Sequence, residues 1–332
     1  MRTQTFSLAA PRGFSLKATV LSHGWHECLP FHWSEAARCF QTVERVDGDV
    51  VRVSVMQGAT GRRVPTLSIT IDGPATRDGV VEIIKGRLRS ALGLDRDLSE
   101  FYELCKTLPA LRPIPAIGGG RLTRSPSMTE NILKMICATN VNWTQAVKMI
   151  NRIAQLGPHY PHHRNLTAWP TPREILNAGE KYLDGVCRLG YRCDSILRFL
   201  RDVDSGKLDP DQFDAMAADP SVESDDILAR LLKIRGVGPA TAHGLLGFLG
   251  RHDRLAIDSA TIAHVARTHT GGTKPTRKQI EAVYAPYGQW KNLVYWCESW
   301  LNWDTAKEMV REAGGHPTPL RKRSTRPQRV SA

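Results

Sequence analysis

The chain has 332 residues and no apolar run near the roughly 18 that a membrane-spanning helix needs. Its first twenty residues, MRTQTFSLAAPRGFSLKATV, include an arginine but no sustained apolar stretch, so no secretory leader is expected. Cysteine is sparse and scattered. Cys28, Cys39, Cys105, Cys137, Cys187, Cys193 and Cys297 form no CxxC pair and no set of four close together. A zinc ribbon or an iron–sulfur cluster needs such clustering, so neither is expected, and buried reduced thiols are the default in a cytosolic protein. The one gathering of histidines, HYPHH at 159–163, is interrupted by Pro161 and lacks a helical i, i+4 pair, which favours a solvated loop over a metal site. There is no internal repeat. Acidic residues are in the minority.

That minority sets the sign of the surface. Lys plus Arg number 45 against 33 Asp plus Glu, a formal net charge of +12. Such an excess attracts polyanions, of which nucleic acid is the commonest in a cytosol, although charge alone also fits a basic surface with no partner. Hydrophobic residues at 41% and charged residues at 23% describe an ordinary soluble globular protein, and the length allows two packed units.

The first hundred residues read as strands with a few helices. KATVLSHGW, DVVRVSVMQ and TLSITI carry β-branched residues. Val51, Val53 and Val55 alternate onto one face, as do Leu67, Ile69 and Ile71. VVEIIKGRLRSALGL and LSEFYELCKTL switch to helical spacing. Residues 109–127, rich in Pro and Gly, read as a linker or a long surface connection. From Met128 onward the strand signal nearly vanishes, and short amphipathic helices follow one another between turns. Four divisions are expected: an antiparallel β domain with helices over 1–110, a linker over 111–128, a helical domain over 129–313, and a basic, disordered tail over 314–332 that holds RKRSTRPQR.

The most informative stretch is LLKIRGVGPATAHGLLGFLGRHDRLAIDSATIAHVA, residues 231–266. DDILARLLKI is one helix, Gly236-Val237-Gly238 a tight turn, and Pro239 suits the first turn of a second helix. Free backbone N–H groups at such a turn form an anion site that fits a DNA phosphate without reading sequence; an ordinary helical corner with glycine caps has the same pattern. Asp258 then follows an apolar tripeptide at the N-cap of another helix. It is either a plain capping residue or a carboxylate whose charge is favoured by the helix N-terminus and placed to stabilise an oxocarbenium-like sugar and orient a water.

With these residues in view, the stretch resembles the helix–hairpin–helix DNA glycosylase superfamily, whose pattern is an L-x-G-V-G-x-x-T-A hairpin followed by an apolar tripeptide and an aspartate. ICATNVNWTQAVKMINRI, LGYRCDSI and YAPYGQWKNLVYW are similar to segments of the branch that holds 8-oxoguanine DNA glycosylase and 3-methyladenine DNA glycosylase II. The resemblance implies an α+β fold, with an N-terminal antiparallel β-sheet domain and a C-terminal all-α domain. It implies that Asp258 is the catalytic carboxylate and that the amides of Gly236, Gly238 and Thr241 hold a phosphate. The carbonyls of Leu232, Ile234 and Val237 would hold a monovalent cation, K+ or Na+, with no further cofactor. Asn140 and Tyr191 would fill the gap left by a flipped nucleotide, Arg192 would face the orphaned base, and Ala240, Gly244, Asn292 and Trp296 would border the extruded one. Double-stranded DNA is the partner expected, bound by a monomer in the cytoplasm at the nucleoid, away from any membrane.

The chain also departs from the resemblance. Ala240 stands where bifunctional members carry a lysine, so a Schiff base and a β-lyase step are not expected. Lys233, before the hairpin, suits a phosphate contact instead. Gly244, Ala260 and Gln145 replace a cysteine, a histidine and an arginine kept by enzymes of oxidised guanine, which weakens an 8-oxoguanine assignment. Small residues at 240 and 244, with Trp25, Phe31, Trp290 and Trp296, suggest a roomy aromatic pocket, although each tryptophan equally suits a core. An alkylated purine is the first substrate expected. A bulky modified base, such as a glycosylated pyrimidine of phage DNA, is the alternative, and a non-catalytic DNA-binding protein is the reading of another class.

Overall fold

The computed structural model describes residues 2–58, 64–74, 79–161 and 163–316. Expectations for the basic tail beyond His316 lie outside the described residues. The chain opens with β1 (Arg2–Ala9), α1 (Leu16–Val20), β2 (His32–Ser34), β3 (Cys39–Val46), β4 (Asp49–Gln57) and β5 (Thr66–Gly73). The strands form one antiparallel sheet in the order β1-β5-β4-β3-β2. The alternation read from the sequence sets its face. Val53 pairs with Ile71 and Val55 with Ile69, and all four side chains are buried. Each contributes roughly 1.5–3 kcal/mol of hydrophobic stabilisation.

KATVLSHGW is not a strand. Ser15 caps α1 by accepting the Ala18 amide, and Gly24–Glu27 make a short 3-10 turn. Ala18, Thr19 and Val20 are all buried, so the segment has no polar face for a half-exposed strand to present.

The helices α2 (Val80–Ala91) and α3 (Ser99–Thr107) follow, then α4 (Pro113–Ile117). The stretch expected as a linker is instead interior. Residues 117–125 are all buried, and neighbours satisfy their polar groups: Thr123 Oγ1 donates to the Thr19 carbonyl at 2.7 Å, and Arg121 Nη2 to that of Arg96 at 3.0 Å. Its glycines serve close approach rather than flexibility. A Cβ on Gly118, whose φ is +66°, would lie 2.5 Å from the Gly13 carbonyl oxygen.

Beyond it come α5 (Met128–Cys137), α6 (Trp143–Ala154), β6 (His159–Tyr160), β7 (His163–Thr167), α7 (Pro172–Gly185), α8 (Arg192–Asp204), α9 (Gln212–Ala218), α10 (Ser224–Leu231), α11 (Pro239–Phe248), α12 (Ser259–Thr268), α13 (Arg277–Tyr284), α14 (Lys291–Trp300) and α15 (Asp304–Glu312). This mainly helical region also carries a short antiparallel pair, β6–β7, which takes in His159, Tyr160 and His163, with Tyr160 buried beside Val43 of the large sheet.

Two cores result, and they do not part at a single point in the sequence. One joins the sheet to α12–α15 through Val265, Ile280, Leu293, Trp300 and Val310. The other gathers α5–α11 with Trp25 and Leu122. Trp296 packs against both.

Candidate nucleic-acid interface and reaction site

The turn between α10 and α11 is built as its glycines suggest. Gly236 has φ +90°, and a Cβ there would also come 2.9 Å from Ser195 of α8, so glycine is required twice over. Gly238 is the N-cap of α11 with no side-chain cap, and Pro239 opens the helix. Among the described residues no group accepts from the amides of Gly236, Gly238 and Thr241. Donors left open beside a helix N-terminus suit an anion. Lys233 and Arg235 are exposed on this turn, Arg235 paired to Asp194 at 2.8 Å.

Carbonyl oxygens face the same turn. Ile234 accepts the Val237 amide at 3.0 Å and keeps a second lone pair. The carbonyls of Leu232 and Val237 accept nothing from the described residues.

Past α11 the chain returns in an extended segment to Asp258. Leu255 and Ile257 are buried in the sheet-side core, which turns Asp258 outward. Asp258 caps α12 reciprocally with Thr261. Its Oδ1 accepts the Thr261 amide at 2.8 Å and the Thr261 hydroxyl at 3.0 Å, while Thr261 Oγ1 lies 3.3 Å from the Asp258 amide. Among the described residues nothing donates to Oδ2. Asp258 is thus a capping residue that is also exposed and has one carboxylate oxygen free. Tyr295 sits behind it. Burial first, and then the neighbouring charge of Asp258, push its hydroxyl well above the usual tyrosine range.

The other predicted residues divide. Asn140 is exposed with φ +50°, and its Nδ2 donates to the Tyr191 hydroxyl at 3.0 Å; Tyr191 is 64% exposed. The two joined side chains lie at the surface. Arg192 does not face outward. It is buried, with its guanidinium bonded to the carbonyls of Leu189 and Thr139 and its plane against the Tyr191 ring at 4.5 Å, so it holds the pair from beneath.

Asn292 is buried as well, and its Oδ1 accepts the Ala256 amide at 3.1 Å. Its side chain anchors the backbone leading to Asp258 and is not free to border a base. Ala240 and Gly244 are half-buried on α11, and a Cβ on Gly244 would meet the Met135 methyl at 2.8 Å. That face is partly roofed by a flexible thioether.

Trp25 and Phe31 are core residues rather than pocket walls, and Trp290 is half-buried against the core. Trp25 packs on Phe248 at 4.9 Å, Phe31 on Phe40 at 5.0 Å and Trp290 on Phe101 at 5.5 Å. Trp296 is half-buried, donates Nε1–H to the Ser22 carbonyl at 3.0 Å, and adjoins Tyr295 and the exposed Trp303. Sequence reasoning missed Thr261, although D-x-x-T before an apolar helix is a capping signal. It missed Met135 and Tyr295 because nothing local marks them.

No family model matches the chain. It is 24% identical over 229 residues to a DNA-3-methyladenine glycosylase of Bacillus subtilis, covering 64% of this chain and 69% of that protein. The 3-methyladenine DNA glycosylase of Archaeoglobus fulgidus superposes with a TM-score of 0.69 at 17% identity, over 89% of this chain and 97% of that one. The 8-oxoguanine glycosylase/lyase of Clostridium acetobutylicum, in complex with double-stranded DNA carrying cytosine opposite 8-oxoG, superposes with a TM-score of 0.65 at 17% identity, over 95% and 99%. The fold is shared with these two DNA glycosylases.

Proposed function

We propose that the chain is a monofunctional DNA glycosylase that turns one modified base out of duplex DNA and hydrolyses its N-glycosidic bond. The observation that carries this reading is Asp258: exposed, held at Oδ1 by its own helix, free at Oδ2, and one helix past a turn with open amides. A pure DNA-binding protein gains nothing from an anion beside phosphates. A base-excising enzyme gains stabilisation of the positive charge that develops on the sugar as the bond to the base lengthens.

The steps follow from the groups in place. The amides of Gly236, Gly238 and Thr241 grip a phosphate and so fix the register of the strand. A monovalent cation at the carbonyls of Leu232, Ile234 and Val237 would add positive charge against that phosphate. Asn140 and Tyr191, held from beneath by Arg192, occupy the space vacated by the flipped nucleotide. Asp258 stabilises the sugar cation through Oδ2 and orients the attacking water. Water replaces the base at C1′, the base leaves with a proton, and the strand is left intact with an abasic site. Ala240 offers no amine, so an imine with the sugar is not formed there.

The base is proposed to be an alkylated purine. The similarity to the Bacillus subtilis protein and the Gly244, Ala260 and Gln145 departures support this over 8-oxoguanine. The test is incubation of the purified chain with a panel of modified duplexes, with and without alkali. Excision of a methylated purine that yields cleavage only after alkali is the expected result. Strand nicking without alkali, trapped by borohydride, overturns the monofunctional reading.

A further inference from the structure

At the far end of the helix that Asp258 caps, three potential ligand atoms converge. His264 lies on α12, His269 is its C-cap, and Glu298 reaches across from α14. His264 Nε2 is 3.1 Å and His269 Nε2 2.9 Å from the same carboxylate oxygen, Glu298 Oε2. The ligand atoms of the three residues all lie within 4.8 Å of one another, the one such group among the described residues. Tyr284 of α13 donates its hydroxyl to Oε2 as well, at 2.7 Å.

This is more convergence than hydrogen bonding requires. One carboxylate oxygen receives three contacts, while among the described residues nothing reaches Glu298 Oε1. Tyr284 Oη and His269 Nε2 are themselves 3.4 Å apart. The Nδ1 of His264 is buried without a partner, so the polar anchoring of that ring rests on Nε2 alone.

We propose that His264, His269 and Glu298 bind one divalent transition-metal ion of the zinc type. Two imidazoles and a carboxylate are a donor set that suits zinc over magnesium or calcium, which prefer all-oxygen shells. Zinc holds such atoms at about 2.0–2.2 Å, which sets tetrahedral ligands roughly 3.3 Å apart. The two His–Glu298 separations are a few tenths of an ångström short of that, and the two imidazole nitrogens lie within 4.8 Å of each other.

Tyr284 serves beside the ion and not on it. Its hydroxyl keeps its proton and orients Glu298, in the way that outer groups orient a metal's ligands. The His264 ring is 2% exposed and the His269 ring 28%, so the ion is sheltered on one side and reachable from solvent on the other, with its fourth position open to water. The ion joins α12 to α14, and Tyr284 of α13 braces the arrangement through Glu298. The ion therefore fixes the helix that Asp258 opens, about 15 Å away along the helix axis. Nothing in this inference depends on the glycosylase reading.

The experiment uses the full chain with any affinity tag removed, stripped with EDTA and titrated with zinc chloride near neutral pH by calorimetry, alongside thermal melts. The expected result is one saturable zinc per chain and a melting temperature raised by several degrees. His269→Ala, at the partly exposed position, and Glu298→Gln should each weaken zinc binding by about 100-fold or more. His32→Ala, exposed on β2, should leave it unchanged. Absence of saturable binding at high micromolar zinc overturns the proposal, because the cluster is then a hydrogen-bonded joint and nothing more. Undiminished binding in His269→Ala overturns it equally by placing zinc elsewhere. If Glu298→Gln does not fold, His269→Ala alone decides.

Discussion

Asn292 Oδ1 accepts the backbone amide of Ala256 at 3.1 Å, and in doing so it ties the segment that delivers Asp258 to the first turn of α14. The Asn292 amide in turn donates to the His252 carbonyl at 2.9 Å, so residues 252–256 are clamped at both ends. Thr261 Oγ1 lies 2.8 Å from the Ala256 carbonyl, which is an alternative to Asp258 Oδ1 as the acceptor of its one proton.

Asn292→Ala should therefore strand the Ala256 amide and cost about 1–3 kcal/mol of stability. It should also slow base excision roughly tenfold by loosening the position of Asp258. Asn292→Asp keeps an acceptor oxygen and should recover most of both. Affinity for DNA should not change, since no phosphate contact is touched. A loss of DNA affinity without loss of single-turnover rate would mean that Asn292 belongs to the binding surface.

The α11 face tests the pocket. Met135 is the near neighbour of Gly244, and its methyl is the free end of a flexible chain. Gly244→Ala should fold with little loss. Gly244→Tyr should reduce excision of the largest accepted base while sparing small ones, and Met135→Ala added to it should restore part of the stability lost. The measurement is excision rate over a size-graded series of modified duplexes, together with melting curves. Equal slowing of every substrate would show that this face acts on Asp258 rather than on base size.

Acid stability has a defined window. His23 and His252 are buried, and burial pushes both imidazoles down to about 3. An unfolded histidine takes up its proton near pH 6.5, roughly. The stability these two contribute is therefore complete above that pH and is lost progressively as pH falls toward 3, at about 1.4 kcal/mol per pH unit for each. His252→Phe keeps a ring against Trp290 and should remove one proton's share of that slope. Urea melts at a series of pH values measure it; parallel slopes in variant and parent would contradict it.

Salt dependence tests the grip. Lys233 is exposed on the hairpin turn. Lys233→Ala should weaken binding about equally for all duplex sequences and lower the slope of log affinity against log salt by about 1. An effect confined to modified duplexes would place Lys233 at the base instead.

Much of this was legible in the sequence where a local pattern decides the outcome. Val51, Val53 and Val55 alternate because one face of β4 is buried, and Gly236 takes the positive φ that the turn requires. What stayed hidden depends on partners far along the chain. Residues 117–125 look like a linker until the Thr19 and Arg96 carbonyls that satisfy them are in place. Arg192 and Asn292 are expected to face the orphaned and the extruded base, since nothing nearby in the sequence shows that buried carbonyls and amides await them. KATVLSHGW has strand-like residues, and the Ser15 cap and burial on every side override that preference.

The central claim is that Asp258 supplies the charge for base excision. Single-turnover excision of a methylated purine from duplex DNA, with Asp258→Asn compared with the parent chain and DNA affinity measured in parallel, tests it most directly. The account predicts a rate lower by about two orders of magnitude or more, unchanged affinity, and a parent product that is cut only by alkali. Retention of the parent rate in Asp258→Asn would contradict it.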